Sequence, residues 1–298
     1  MMQKFIFGAL GVSACNIILF FIMYSTYNLS IILTAFACIA VTVISAIFLF
    51  RWVMKPVLDL QNKMEEATEE NKKVETMRSE FVANVTHELK TPLTSISGFI
   101  ETLQAGAAED VEVRTKFIDI IAVETARLER LIEDLLILSD IENKREQVTE
   151  HINIKQALER TIEAIRPIAE NRHIQIVANL TETHYIDGSE DWFSQMMVNL
   201  IENAIKYSDD GSKIYIESKD LGNKLQVSIR DEGIGISPEH FERLFERFYR
   251  VDKSRSKKEG GTGLGLSIVK HIAVLFNAEL KVESELGKGS EFFVIFHK

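Results

Sequence analysis

In the stretch FVANVTHELKTPLTSISGF, residues 81–99, His87 stands beside Glu88, Thr91 follows four residues later and Pro92 comes next. A neutral imidazole is both a nucleophile and a proton carrier near neutral pH, with an unperturbed pKa of ~6.5. A neighbouring carboxylate can orient such a ring or take its proton. Far downstream, three stretches offer anchorage for a charged ligand. NLIENAIKYS, Asn199–Ser208, carries amide oxygens at Asn199 and Asn203 that suit a hard cation such as Mg²⁺, a point charge at Lys206, and Tyr207. DEGIGI, Asp231–Ile236, joins a carboxylate that could accept from an amino group such as that of adenine to Gly233 and Gly235, which permit close backbone approach. GGTGLGLSIVK, Gly260–Lys270, frees backbone N–H groups at the start of a helix, where anions bind.

Each stretch alone has a plainer explanation. His87 could be a solvated bystander, the asparagines could cap or pack, and DEGIGI could be a turn. The last stretch is not a P-loop, since no Gly-Lys-Ser/Thr follows, and no strand leads into it as a dinucleotide fingerprint requires. Before it lies RVDKSRSKKEGG, residues 250–261, basic and rich in small polar residues. It reads either as a solvated loop or as a mobile lid over phosphates.

Periodicity says which elements must position these residues. At about 100° per residue, Phe81, Val82, Val85, Leu89, Leu93, Ile96, Ile100 and Leu103 form one helical stripe. His87 falls roughly opposite it, with Thr91 and Thr94 on its side, so the imidazole should face solvent. Pro92 should weaken the helix just below His87 and allow a bend there. AGAAED, residues 105–110, is a turn. A second amphipathic helix places Val113, Phe117, Ile120, Ile121, Leu128, Leu131, Leu135 and Leu138 inward. One hairpin cannot bury both stripes, and two make a four-helix bundle. Beyond Ile152, a helix over roughly 153–171 leads to short strands at HIQIVANL, KIYIESKD and KLQVSIR. Helices near 189–207 and 264–276 intervene, Ser237-Pro238 opens a short helix with a serine cap, and FFVIF closes the chain. This mixture predicts an α+β sandwich.

The N-terminal end is different in kind. Phe5–Phe50 contains no charged residue. Phe5–Tyr24 and Ile31–Phe50 are each long enough to cross a bilayer, which takes about 20 apolar residues. STYNLS, Ser25–Ser30, leaves room only for a tight connection. Lys4 precedes the first span and Arg51 and Lys55 follow the second, so the positive-inside rule puts both ends in the cytoplasm. VSAC, Val12–Cys15, resembles a lipoprotein cleavage box, but the apolar run continues past Cys15 and the basic region is a single lysine. Asn16 would face another helix in mid-membrane. Cys15 and Cys38 form neither a disulfide framework nor a metal pair. Leu60, Met64, Ala67, Val74, Phe81 and Val85 continue as a heptad seam with Asn71 and Arg78, which predicts a paired helix. The 298-residue chain carries a net charge of −10, and residues 56–298 hold 31 bases against 44 acids. That balance argues against a nucleic-acid partner.

Taken together, these residues resemble those of a membrane-bound sensor histidine kinase of a bacterial two-component system. VTHELKTPLTSI is similar to the family's phosphoacceptor box, with His87 as the phosphorylated residue. NLIENAIKY, DEGIGI, LFERFYRVD and GGTGLGL resemble its asparagine, first glycine, phenylalanine and second glycine boxes in the usual order, and GKGSEFFV, Gly287–Val294, its last nucleotide-contact segment. The similarity covers roughly Glu80–Lys298. It implies a multi-domain chain: a two-helix transmembrane segment at 1–55, a helical coiled-coil linker at 56–80, a dimeric four-helix-bundle dimerisation and phosphoacceptor domain at 81–146, and an α+β Bergerat (GHKL-type) ATP-binding sandwich at 150–298.

The resemblance also implies chemistry and partners. ATP would be the donor and Mg²⁺ the metal. Asp231 would hold adenine and Asn203 the metal. Asn199, Lys206, Tyr207, Gly233, Gly235, Phe248, Arg250, Gly261, Thr262, Gly263, Leu264, Gly265, Leu266 and Ser290 would complete the nucleotide site. His87 would take the γ-phosphoryl group and pass it to an aspartate of a response regulator receiver domain. Glu88 would accept the proton or orient the ring, and Thr91 would position a water that dephosphorylates the regulator. The expected partners are a second copy of the chain, the receiver domain, the lipid bilayer and a sensory membrane partner, with the chain multi-pass in the bacterial cell membrane and the kinase domains in the cytoplasm. Arg51–Glu80 is too short for the HAMP module that commonly follows the last span, and there is no extracytoplasmic ligand domain. The chain therefore resembles intramembrane-sensing members and is similar overall to the phosphate-responsive subgroup. GHKL ATPases of the gyrase, chaperone or mismatch-repair type place a glutamate four residues before the metal asparagine, where this chain has Asn199. A serine kinase on the same fold would give acid-stable phosphate. A scaffold with a dead site is at odds with intact Asn203, Asp231 and Gly263.

Overall fold

The computed structural model describes residues 2–26, 31–143, 150–180, 184–251 and 261–297. Most of the loop read as a lid, and most of the STYNLS connection, lie outside the described residues. The chain forms two compact units, Met1–Glu80 and Phe81–Lys298.

In the first unit, α1 (Met2–Thr26) and α2 (Ile31–Leu49) are apolar helices, and a π-helical turn at Phe50–Met54 follows. Among the described residues one stretch, Thr34–Trp52, is long and apolar enough to cross a membrane, while Leu10–Tyr24 is a shorter apolar helix. Among the described residues one helix thus meets the length requirement of about 20 residues. Cys15 and Cys38 are free. Helix α3 (Lys55–Gln104) begins in this unit, and its seam residues Leu60, Met64 and Val74 are 64%, 66% and 55% exposed in the single chain.

In the second unit, α3 ends at a turn in which Gly106 has φ 113°. Helix α4 (Val111–Glu142) then starts on Asp110, whose carboxylate accepts from the backbone N–H groups of Glu112 and Val113. The hairpin is closed by side chains such as Phe99 and Phe117, with ring centroids 4.8 Å apart. The apolar stripe of α3 divides: Phe81, Val85, Leu89 and Ile96 are half-buried, whereas Val82 and Leu93 stay exposed. Pro92 is buried and α3 runs through it without interruption. Its missing N–H leaves the Glu88 carbonyl without the usual helical donor, and one residue earlier the Thr91 hydroxyl donates to the His87 carbonyl at 3.0 Å.

The α+β half opens with β1 (Glu150–Asn153), which pairs antiparallel with β3 (Tyr185–Gly188). A five-stranded sheet runs β2–β4–β5–β7–β6, built from β2 (Gln175–Leu180), β4 (Lys213–Asp220), β5 (Lys224–Asp231), β6 (Glu279–Glu285) and β7 (Gly289–His297). Only the β2–β4 pairing is parallel. Alternate residues of β4 and β5 are buried, as expected of strands with one face on a core. Helices α5 (Ile154–Asn171), α6 (Glu190–Tyr207) and α7 (Gly265–Leu275) supply the other half of that core, where Phe193, Met196, Met197, Val227, Ile268 and Phe296 are nearly inaccessible. Asn153 and Ser189 cap α5 and α6. Ser237, expected to cap the Pro238–Arg243 turn, makes no side-chain cap bond, and the turn is a 3₁₀ helix.

Candidate functional site

The C-terminal end of β5, the last turns of α6 and the loop entering α7 converge on two adjoining cavities. The larger has a volume of 460 Å³ and is polar; Asn199, Asn203, Lys206, Gly261, Thr262, Gly263 and Gly265 line it from the α+β half, and Arg130, Glu133, Asp134 and Ile137 from α4. The smaller, of 110 Å³, has Asp231, Gly235 and Ser290 set among Ile234, Ile236 and Phe292. Asn203, Tyr207, Leu244, Tyr249, Arg250 and Leu266 border both. A polar chamber beside an apolar one with a single carboxylate matches a ligand that is charged at one end and flat and apolar at the other.

Asp231 is 5% exposed. Its Oδ1 accepts from the Gly233 N–H at 2.9 Å and the Ser290 N–H at 3.1 Å. Burial raises its pKa to about 6, against the pull of those two bonds. The glycines around it are required by space. A Cβ on Gly233 would stand 2.3 Å from the Tyr207 carbonyl oxygen, and one on Gly235, where φ is +69°, would stand 2.0 Å from that of Glu285. Gly263 has φ +77°, and the Phe248 N–H donates to its carbonyl at 2.8 Å.

Asn199 is 8% exposed, and its Nδ2 has no hydrogen-bond partner among the described residues. A buried orphan of this kind at a cavity wall takes its partner from outside the chain, a water or a ligand atom. Asp134 and Glu202 line the same chamber, and burial raises both carboxyls above their ordinary range. The Thr262 hydroxyl donates to Asp134 Oδ2 at 2.5 Å while accepting from the Leu264 N–H at 3.2 Å.

His87 is on α3, outside the lining of both cavities, with its side chain 79% exposed. Its Nδ1 lies 3.9 Å from Glu88 Oε1. The other Glu88 oxygen accepts from Arg127 Nη2 at 2.7 Å, and Arg250 Nη1 lies 4.0 Å from it. Arg250 thus connects the cavities to the carboxylate beside the histidine. A second junction between hairpin and α+β half joins Arg247 to Glu142, with His271 Nε2 3.0 Å from Arg247 Nη2 and Phe81 under the guanidinium.

Most of the residues expected at a nucleotide site border these cavities, and three do not. Leu264 is fully buried in the core. Phe248 packs against Phe81, ring centroids 5.9 Å apart, and serves the loop through its backbone. Gly233 donates to Asp231 but lines neither cavity. Sequence reasoning missed Arg127, Arg130, Asp134, Glu202 and Tyr249. Arg127 had a signal: it is a basic residue on the inward face of α4, three residues after Glu124 and four before Leu131. The rest gain meaning only from contacts across the chain.

An exposed histidine on a helical hairpin, joined to an α+β domain with this pair of chambers, defines a phosphoacceptor module with its own nucleotide-binding domain. Residues 77–144 match the His Kinase A (phospho-acceptor) domain and residues 188–298 the histidine kinase-, DNA gyrase B-, and HSP90-like ATPase family. The chain belongs to the bacterial two-component sensor histidine kinases. It is 38% identical over 235 residues to the sensor protein kinase WalK of Staphylococcus saprophyticus, a match over 76% of this chain and 37% of that protein. The chain therefore spans little more than a third of the length of this curated relative. Among solved structures, Acinetobacter baumannii histidine kinase AdeS is similar with a TM-score of 0.56 and 27% identity over 71% of this chain and 97% of that one. Histidine kinase ThkA in complex with response regulator protein TrrA is similar with a TM-score of 0.63 and 25% identity, over 79% of this chain and 66% of that one.

Proposed function

We propose that the chain is an ATP-dependent protein-histidine kinase that phosphorylates His87 and passes the phosphoryl group to an aspartate of a response regulator receiver domain. The observation that carries this reading is the pairing of a solvent-facing His87 with the two-chambered cavity in the same compact unit. Asp231 would accept from the adenine amino group, since its Oδ1 is already taken by two backbone donors and Oδ2 has no bond from the described residues. Lys206 and the backbone of Gly261–Gly265 would meet the phosphates. The unpartnered Asn199 amide and the amide of Asn203 fit a hydrated cation and phosphate oxygens, and Asn203 would hold Mg²⁺. When bound, that ion would offset charge on the phosphates.

For transfer, Nδ1 of His87 faces Glu88, which leaves the Nε2 lone pair free to attack. The new N–P bond forms as the bond from the γ-phosphorus to the bridging oxygen breaks, and ADP leaves with that electron pair. Arg127 fixes Glu88 through Oε2, so Oε1 is the oxygen that orients the ring and takes the Nδ1 proton. The phosphoramidate then yields its phosphoryl group to a regulator carboxylate. Thr91, whose hydroxyl now donates to the His87 carbonyl, would turn outward to place the water for regulator dephosphorylation.

The same reading assigns residues 1–55 to a membrane segment of two helices, 56–80 to a paired helical linker, 81–146 to the dimerising phosphoacceptor domain and 150–298 to the ATP-binding domain. The chain would lie in the bacterial membrane as a multi-pass homodimer, kinase domains in the cytoplasm. The exposure of Leu60, Met64, Val82 and Leu93 supports a second copy along α3. Asn16, expected in mid-membrane, would meet a neighbouring helix there, of this chain, a second copy or a sensory partner.

The full chain in lipid nanodiscs should incorporate label from γ-labelled ATP in a base-stable, acid-labile form that His87→Gln abolishes. Acid-stable label, or label that survives the substitution, would refute the assignment.

A further inference from the structure

Tyr249 borders both cavities, so its ring stands where the apolar and polar chambers meet. Tyr249 follows Phe248, which turns through a left-handed φ of 62°, and its N–H donates to the Glu246 carbonyl at 3.3 Å, a bond that holds the backbone but not the ring. Two side chains of the preceding 3₁₀ turn, Pro238–Arg243, fix it instead. His240 Nδ1 lies 2.7 Å from the Tyr249 hydroxyl oxygen. The Arg243 guanidinium lies over the ring, 4.4 Å from its centroid, and Arg243 Nε donates to Glu246 Oε2 at 3.1 Å. The turn itself is anchored: the His240 N–H donates to the Ser237 carbonyl at 3.0 Å and the Ile236 N–H to Ser284 Oγ at 2.8 Å. Neither His240 nor Arg243 lines a cavity.

We propose that His240 and Arg243 are positioning residues for the nucleotide. They hold Tyr249 as the wall at the junction of the two chambers and so set ATP affinity without taking part in phosphoryl transfer. The hydrogen bond fixes the end of the ring and the guanidinium covers one face, which together select a single rotamer. Without them the ring is free to turn into the junction, and binding must restrain it. This inference rests on the cavities being the nucleotide site.

The test is calorimetric binding of a non-hydrolysable ATP analogue with Mg²⁺ to the full chain and its variants. His240→Ala should raise Kd about 5-fold, the size expected for losing one net hydrogen bond. Tyr249→Phe should raise it to a similar degree, and the double variant no further, because both remove the same bond. His240→Asn, whose amide can reach the hydroxyl in place of Nδ1, should bring Kd back to within about twofold of the parent chain. Autophosphorylation of His240→Ala should show a raised KM for ATP and a kcat within about twofold, as expected for lost uniform binding. A parent-like Kd in His240→Ala, or effects that multiply in the double variant, would overturn the inference. Should His240→Ala fail to fold, Tyr249→Phe decides alone, since it keeps the ring and removes the bonded oxygen. Failure of the parent chain to bind the analogue would instead refute the nucleotide site itself.

Discussion

Asp231 has two opposing demands on it. The proposed adenine contact needs an ionised carboxylate as acceptor, and burial disfavours that charge. The result is a pKa of about 6, raised by desolvation despite the Gly233 and Ser290 donors. Because the folded pKa lies above the unfolded value, the folded state binds the extra proton between about pH 4 and pH 6. Stability from this group is therefore greatest below that window and is lost as pH rises through it. Ligand binding runs the other way, since protonation removes the acceptor. ATP affinity measured by calorimetry should fall about tenfold between pH 7 and pH 5. In Asp231→Asn affinity should be low throughout and the pH profile flat; a parent profile that is also flat would remove the adenine-acceptor role. This residue was legible in the sequence because DEGIGI is local: the acid, the turn and the close approach lie within six consecutive residues. Asp134 was not, because what it does depends on Thr262, far away along the chain.

Elements were legible where a single periodicity governed them. Strand β4 alternates buried and exposed residues, and α6 starts on a serine cap. Strand β6 escaped notice because it is an edge strand whose Glu279, Lys281, Glu283 and Glu285 keep one face charged. Strands β1 and β3 are four residues each, too short for alternation to register. Elements also pack closely where β7 begins. Gly289 has φ +103°, and a Cβ there would stand 2.0 Å from the Asp231 carbonyl oxygen, at the end of β5. The neighbour is backbone in a central strand and has nowhere to move. Gly289→Ala should therefore destabilise the α+β half by about 2–4 kcal/mol. Urea unfolding followed by near-ultraviolet circular dichroism measures this, and a loss under about 0.5 kcal/mol would mean that the turn relaxes freely.

At the scale of the unit Phe81–Lys298, polar contacts among the described residues join the hairpin to the α+β half, among them Glu88 with Arg250, Asp134 with Thr262, and Glu142 with Arg247. The middle one lies inside the larger chamber. Asp134 there stands with Arg130 and Glu133 on the α4 wall, Glu202 lines the chamber from α6, and burial raises the pKa of Asp134 and Glu202. In the proposed reading a triphosphate entering this chamber would meet these carboxylates beside Arg130, and the Thr262 hydroxyl assigned to it donates to Asp134. On that reading nucleotide binding and the hold of α4 on the second glycine loop would compete for the same groups, and by linkage each would weaken the other. Asp134→Asn removes the charge and keeps an acceptor for Thr262, so it separates the two effects. It should tighten ATP binding about threefold, the gain expected from removing one partly screened like charge, and leave hydrogen exchange of α4 amides in the nucleotide-free chain unchanged. Asp134→Ala removes both, so it should tighten binding further and also speed α4 exchange without nucleotide. Equal affinity in the parent and both variants would mean that the phosphates never approach α4, and that the hairpin wall of the chamber is a contact between domains with no part in nucleotide loading.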